Sequence, residues 1–134
     1  MKTHLVYKTI IAIALSLQFC NIEQGPQVLV GNDLVSGLVS YKTHIQPIFD
    51  AYCSSSCHLK ASGAVAGLSL VNYAALMSGC NSGIALIPGS SKDSLIIKRL
   101  NGSILPFMPA GGEPFTANQI QNIANWIDQG ALDN

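Results

Sequence analysis

Two cysteines and a histidine lie within the six-residue segment 53–58, Cys-Ser-Ser-Ser-Cys-His. Thiol and imidazole side chains bind metals, and two thiols can form a disulfide. A disulfide between Cys53 and Cys57 is one interpretation, because disulfides persist in oxidising compartments. A zinc site is another, since zinc takes four ligands and Cys80 would complete the set with Cys53, Cys57 and His58. A thiol-redox site is disfavoured, because its C-x-x-C motif normally lies near a βαβ unit, which is absent here.

The same segment is similar to the motif that attaches haem covalently in c-type centres. In that chemistry two thiols add across the haem vinyl groups, and the imidazole that follows reaches the iron. The usual spacing is C-x-x-C-H, whereas this chain has C-x-x-x-C-H, one residue longer. We expect the extra residue to bulge outward, which three small serines allow. The segment therefore predicts thioether bonds from Cys53 and Cys57 and iron ligation by His58.

A haem iron that is held by histidine needs a second axial ligand, and methionine is a common one. Met108 lies between Pro106 and Pro109, in a loop whose prolines restrict its shape and could present a thioether at a fixed distance. Met77 lies in a helical pattern and is predicted to pack in the core. His44, at the start of a helix, is expected to cap that helix or to face solvent. Met108 is therefore the predicted second ligand.

The elements that must position these residues are helices. Thr43 with Gln46, and Thr116 with Gln119, have the spacing of capping boxes that open helices. Apolar residues then recur at helical spacing, and Gly130 ends the last pattern. The predicted helical segments are 43–53, 72–78, 94–100 and 116–130. No pattern of period two is long enough for a strand, so the sequence predicts an all-α domain with long loops.

The N-terminal residues 1–20 are typical of a bacterial export signal. Two lysines precede the apolar run 10–19, which is too short to span a bilayer as a helix. The residues before Cys20 are similar to a lipoprotein signal with Cys20 as the lipid acceptor, although Phe19 departs from the small residue expected there. Glycines and a proline in 21–40 indicate a linker or a loose extension, and the domain is predicted to cover 41–134.

The charge balance excludes some classes of function. The 134 residues include seven basic and seven acidic ones, and loss of 1–20 would leave a net charge of about −2. Nucleic acid binding normally requires a concentrated basic surface, which is not present. Phosphate-binding glycine motifs are also absent. No titratable pair indicates acid–base catalysis, so the protein is not expected to be an enzyme.

Several short segments, in order along the chain, carry a family resemblance. They are I-x-P-I-F at 45–49, C-x-x-x-C-H at 53–58, G-L-x-L at 67–70, Y-x-x-L at 73–76, P-G-x-x-x-x-S-L at 88–95, M-P at 108–109 and W-I-x-x-G-A at 126–131. Together they resemble class I cytochrome c domains, in particular the small bacterial domains of planctomycete type. The resemblance implies a cytochrome c-like fold of several short helices around one covalently bound haem. It implies that the first and last helices cross, with Phe49 contacting Trp126 or Ile123.

The same resemblance implies His58 and Met108 as axial ligands, and electron transfer to an unidentified redox protein as the function. Cys80 then has two alternatives. It pairs with Cys53, which leaves Cys57 as the only thioether, or it stays a free thiol while both Cys53 and Cys57 bind the haem.

Two other functions remain open at this stage. One is a haem-free exported module stapled by disulfides, and the other is a haem-based sensor in which Met108 dissociates to admit a ligand. We expect an exported protein of the periplasm or outer cell envelope, which would contact a membrane only through a lipid at Cys20.

Overall fold

The computed structural model describes residues 30–53, 57–58 and 64–134. Within these ranges lie four α-helices: α1 (Gln46–Tyr52), α2 (Tyr73–Met77), α3 (Leu95–Leu100) and α4 (Ala117–Asp128). A π-helical turn (Tyr41–Ile45) runs directly into α1, and a 3-10 turn (Val65–Gly67) precedes α2. The described ranges contain isolated β-bridges but no strand. The all-α prediction is therefore confirmed, whereas the predicted export signal and Cys20 lie outside the described residues.

The start of the first helix differs from the prediction. Ser40, rather than Thr43, is the N-cap, and its side chain accepts a hydrogen bond from the Thr43 backbone N–H. His44 completes the cap, because its Nδ1 accepts from the Ser40 N–H at 2.9 Å. Gln46 does not form the expected capping box, since its amide donates to Asp50 at 2.7 Å and to the Leu70 carbonyl at 3.0 Å. The N-cap therefore lies three residues earlier than the sequence predicted.

The last helix begins as predicted. Thr116 and Gln119 form a reciprocal capping box, which satisfies two backbone N–H groups at the N-terminus of α4. The predicted apolar stripe is only partly buried, because Ile123 and Ile127 are fully buried while Ile120 lies at the edge of the core.

Aromatic rings join the two ends of the domain. Trp126 on α4 is fully buried, and its ring lies 5.2 Å from the ring of Tyr41 and 6.4 Å from that of Tyr73. Its indole N–H donates to the Leu132 carbonyl at 2.9 Å. The ring of Tyr41 therefore packs against Trp126 from the first helical segment, and the predicted contact of Phe49 with Trp126 or Ile123 stays a prediction. Phe49 is also fully buried, and it faces the cleft described below.

Residues 30–40 are held in place by hydrogen bonds although six of the eleven are exposed, whereas a loose extension was expected for 21–40. We call them the N-terminal strap. Amide side chains of α4 and of the residue after it hold the strap backbone: Gln119 donates to the Val30 carbonyl at 2.7 Å, and Gln129 accepts from the Val39 N–H at 2.8 Å. Val39 itself is 1% exposed. Gln119 is fully buried, and a buried amide needs hydrogen-bond partners, which the strap backbone supplies. Residues 21–29 lie outside the described ranges.

None of the helices among the described residues is long and apolar enough to cross a membrane.

Candidate haem-binding cleft

Two adjoining cavities form one open cleft on the described part of the domain. Their walls share five residues: Cys53, His58, Val65, Leu100 and Met108. The first cavity has an empty volume of about 880 Å³, including its open mouth, and its lining is mostly apolar. A concave and mostly apolar surface of this kind is typical of a cofactor site.

All four residues that the sequence singled out lie on this cleft. Cys53, His58 and Met108 line both cavities, and Cys57 lines the second. Met108 lies 50 residues after His58 in the chain, so only the tertiary fold brings the two together. Neither of the competing candidates, His44 and Met77, lines either cavity.

The imidazole of His58 is held in a defined orientation. Its Nδ1 lies 2.9 Å from the Leu68 carbonyl oxygen, and the Leu70 N–H donates to the His58 carbonyl at 2.7 Å. Because a carbonyl can only accept, Nδ1 carries a proton, and in the neutral imidazole the lone pair is then on Nε2. This arrangement is the one that fixes a metal-binding histidine, with Nε2 as the ligand atom.

The two cysteines of the motif have different environments. Cys53 follows the last residue of α1 and is partly buried, whereas Cys57 is exposed. Burial, and secondarily the negative charge of Asp50, raises the pKa of Cys53 to about 12. Without a cofactor this thiol is therefore protonated at neutral pH. The intervening serines lie outside the described residues, so the predicted outward bulge remains a prediction.

The loop that carries Met108 is anchored on α3. The Met108 N–H donates to the Arg99 carbonyl at 3.1 Å, and the Ile104 N–H donates to the Lys98 carbonyl at 3.1 Å. The Arg99 guanidinium reaches the Pro106 carbonyl at 3.4 Å. Met108 is partly buried against the core and lines both cavities.

Two features of the cleft were not found by sequence reasoning. Arg99 lines the first cavity, and the Leu68 carbonyl orients His58. The carbonyl carries no sequence signal at all. The sequence does single out Arg99, because it is the only arginine among the seven basic residues of the chain.

The zinc interpretation finds no support in the structure. No group of three or more histidine, cysteine, aspartate or glutamate side chains among the described residues is placed to hold a metal ion, although Cys53, Cys57, His58 and Cys80 are all described. Cys80 lines the first cavity, as Cys53 does, but neither is in a disulfide in this structure.

The residues present fit a haem. Thiols that could form thioethers, an imidazole with Nε2 available and a thioether sulfur all lie on the walls of one mostly apolar cleft. An apolar wall suits a large flat macrocycle, and the histidine and methionine pair is a known set of axial ligands.

Comparison with known proteins supports the same assignment. The family model described as Planctomycete cytochrome C matches residues 53–110, which include both motif cysteines, His58 and Met108. No curated protein and no solved structure gives a significant match to the chain. The matched segment covers the Cys–His motif, α2, α3 and the Met108 loop. Residues 53–110 therefore match the planctomycete-type cytochrome c family, whose domains bind haem, and the described part of the chain is all-α.

Proposed function

We propose that this domain is a monohaem electron carrier whose iron is held by His58 and Met108. The observation that carries the proposal is that both side chains lie on the walls of the same cleft as Cys53 and Cys57. Haem supplies one-electron chemistry when bound, and the protein sets its ligands and environment. With both axial positions filled by protein, no position is left for a substrate, which favours a carrier over an enzyme.

His58 acts as a fixed ligand. The hydrogen bond from Nδ1–H to the Leu68 carbonyl holds the ring orientation and makes Nε2 a better donor. Since the His58 backbone also accepts from the Leu70 N–H, the side chain and main chain of one residue are tied to one short segment. Such a ligand moves little between two oxidation states, which is what fast electron transfer requires.

Met108 and the apolar wall set the environment of the iron. Thioether ligation raises the reduction potential relative to a second histidine. Leu68, Leu70 and Leu100 give the cleft an apolar wall. An apolar wall against the bound haem would disfavour the more highly charged oxidised iron, so these residues would also raise the potential.

The first test is a visible spectrum of the full chain, produced in a host with haem c maturation machinery. We expect the reduced bands of a c-type centre, and haem that stays with the polypeptide through acid–organic extraction. His58→Ala should abolish the low-spin spectrum, and Met108→Ala should convert it to one with an open axial position. Met77→Leu is the matched control, because Met77 lines neither cavity and should leave the spectrum unchanged.

Three other outcomes have clear meanings. A colourless protein would exclude the cytochrome function and leave a haem-free module stapled by disulfides. Haem that extracts freely would remove the thioether assignment of Cys53 and Cys57. Carbon monoxide binding to the reduced wild-type protein would indicate that Met108 dissociates, which would favour a ligand sensor.

We further propose that the protein acts after export, in the periplasm or outer cell envelope, and exchanges electrons with another redox protein. The basic start and short apolar run within 1–20 support export. Labelling of Cys20 with a radioactive fatty acid would show whether a lipid anchors the protein, and a Cys20→Ser variant is its control.

A further inference from the structure

The turn that follows α3 contains the pair Asn101-Gly102. Asn101 is the C-cap of α3, and it is the only asparagine in the chain that directly precedes a glycine. Both residues are exposed to solvent. Glycine has no side chain to shield its backbone nitrogen, and its backbone adopts conformations that other residues avoid. The side-chain carbonyl carbon of Asn101 is therefore open to attack by the nitrogen that follows it in the chain.

The hydrogen bonds of this turn leave the attacking nitrogen available. The Asn101 Oδ1 accepts from the Ser103 N–H at 2.9 Å, which folds the side chain along the intervening peptide, as in an Asx turn. Among the described residues, no backbone carbonyl accepts from the Gly102 N–H. The turn uses only the oxygen of the Asn101 amide, so the amide nitrogen can leave without breaking a hydrogen bond of the turn.

Asn118, on α4, is also exposed but lacks these features. It precedes Gln119, whose backbone N–H donates to the Thr116 Oγ1 at 3.3 Å within the capping box. The Asn118 side-chain nitrogen donates to the Asn32 carbonyl at 2.8 Å, so it is held in place. Asn118 is therefore an internal control for the reactivity of Asn101.

We infer that Asn101 deamidates in the folded protein and that the turn after α3 is a site of spontaneous covalent modification. The Gly102 nitrogen forms a bond to Cγ of Asn101, and the bond from Cγ to Nδ2 breaks. The proton of the Gly102 N–H passes through water to the departing ammonia, and a five-membered succinimide ring remains. Water then adds to one of the two carbonyl carbons of the ring. The ring opens to an aspartate, or to an isoaspartate in which the main chain runs through Cβ.

This modification lies on the connection between α3 and the loop that carries Met108. The Met108 N–H donates to the Arg99 carbonyl at 3.1 Å, across the turn. The ring of Phe107 also lies against the turn, because a Cβ at Gly102 would be 3.3 Å from it. An isoaspartate inserts a methylene into the main chain between these anchored points and so displaces the loop, whereas an aspartate leaves the main chain unchanged. The consequence rests on the proposed function: if Met108 ligates the iron, formation of isoaspartate weakens that ligation as the protein ages.

Peptide mass spectrometry of the full-length holoprotein, aged in mildly alkaline buffer, tests the inference. We expect a gain of about 1 Da at position 101, with both aspartate and isoaspartate formed. Asn118 should change at least about tenfold more slowly, which corresponds to a difference of about 1.4 kcal/mol in activation free energy. Asn101→Gln should stay unmodified at this position, because glutamine would have to close a larger ring. Equal rates at Asn101 and Asn118, or no change at Asn101, would refute the inference.

Carbon monoxide binding separates the effect on the loop from the modification itself. Aged wild type that contains isoaspartate should bind carbon monoxide after reduction, whereas fresh wild type and Asn101→Asp, which has the normal main chain, should not. Aged protein that binds no more carbon monoxide than fresh protein would refute the link to Met108. The mass change is read from the polypeptide whether or not haem is bound. A chain that takes up no haem would therefore refute the proposed function, and an unchanged Asn101 would refute only this inference.

Discussion

Substitution of Asn122 by leucine should show that the N-terminal strap is part of the folded domain. Asn122 is fully buried on α4, and its amide makes three hydrogen bonds to the strap. Its Oδ1 accepts from the Val35 N–H at 2.9 Å, and its Nδ2 donates to the carbonyls of Gly31 at 3.1 Å and Asp33 at 2.8 Å. Leucine keeps the branching at Cγ, with larger methyl groups, and removes all three bonds. At about 1 kcal/mol for each bond, the expected loss in the free energy of unfolding is about 3 kcal/mol.

Denaturant unfolding of the holoprotein, followed by Trp126 fluorescence and haem absorbance, measures this loss. For a domain of roughly 100 residues, it corresponds to a decrease in Tm of about 12 °C. Gln121→Ala is the control, because the Gln121 side chain is exposed and donates to Asn125 on the same helix; its effect should be within about 0.5 kcal/mol. If Asn122→Leu unfolds at the same denaturant concentration as the wild type, the strap contributes nothing and the reasoning is wrong.

An aspartate at the same position gives a pH-dependent version of the test. Asn122→Asp keeps an acceptor for the Val35 N–H, but it points a second oxygen toward the carbonyl oxygens of Gly31 and Asp33. The folded state then favours the protonated acid, so its pKa is raised above the unfolded value. Stability relative to the wild type is therefore greatest in acid and is lost as the pH rises through the folded-state pKa. A stability difference from the wild type that does not change with pH would contradict this geometry.

Two further predictions concern the cleft and the turn that follows α2. In the protein without haem, Cys53 should be alkylated at least about a hundredfold more slowly at ~pH 8 than the exposed Cys57. The reason is that burial raises the Cys53 pKa to about 12, so little thiolate is present. Timed alkylation with mass spectrometry measures the two rates, and equal rates would show that Cys53 is not buried. Gly79→Ala should destabilise the holoprotein by about 2 kcal/mol more than Gly37→Ala does. Both glycines have φ +84°, but a Cβ at Gly79 would lie 2.7 Å from the Gly83 carbonyl oxygen whereas one at Gly37 meets nothing within 4 Å. Equal losses in the two variants would mean that the turn relaxes around the added methyl group.

Local sequence patterns were sufficient to predict that helices form and to single out the candidate ligands. The Thr116–Gln119 capping box forms as predicted, because both partners lie within one helical turn and need nothing else from the fold. The helix predicted over 72–78 is present as Tyr73–Met77, with Asn72 as its N-cap. The chemistry of the Cys–His segment likewise depends only on residue types and spacing, which the sequence states directly.

The same local reasoning was wrong where long-range partners compete. Thr43 and Gln46 have the spacing of a capping box, yet Gln46 donates to the Leu70 carbonyl, 24 residues away, and Ser40 becomes the cap. The composition of the strap predicted a loose linker. That prediction missed the amides of Asn122 and Gln129 that hold the strap, because they lie about 90 residues later in the chain.

The sequence by itself determined the helical class, the helix starts with local caps, and the side chains able to bind a haem. Only the tertiary structure decided which of them meet: it brings Met108 and His58 to one cleft, orients His58 on the Leu68 carbonyl and adds Arg99 to the wall. The physical reason is that caps and helical periodicity arise from contacts within a turn or two. A cleft instead arises from packing between distant segments, and its backbone carbonyls are the same for every residue type and leave no trace in the sequence.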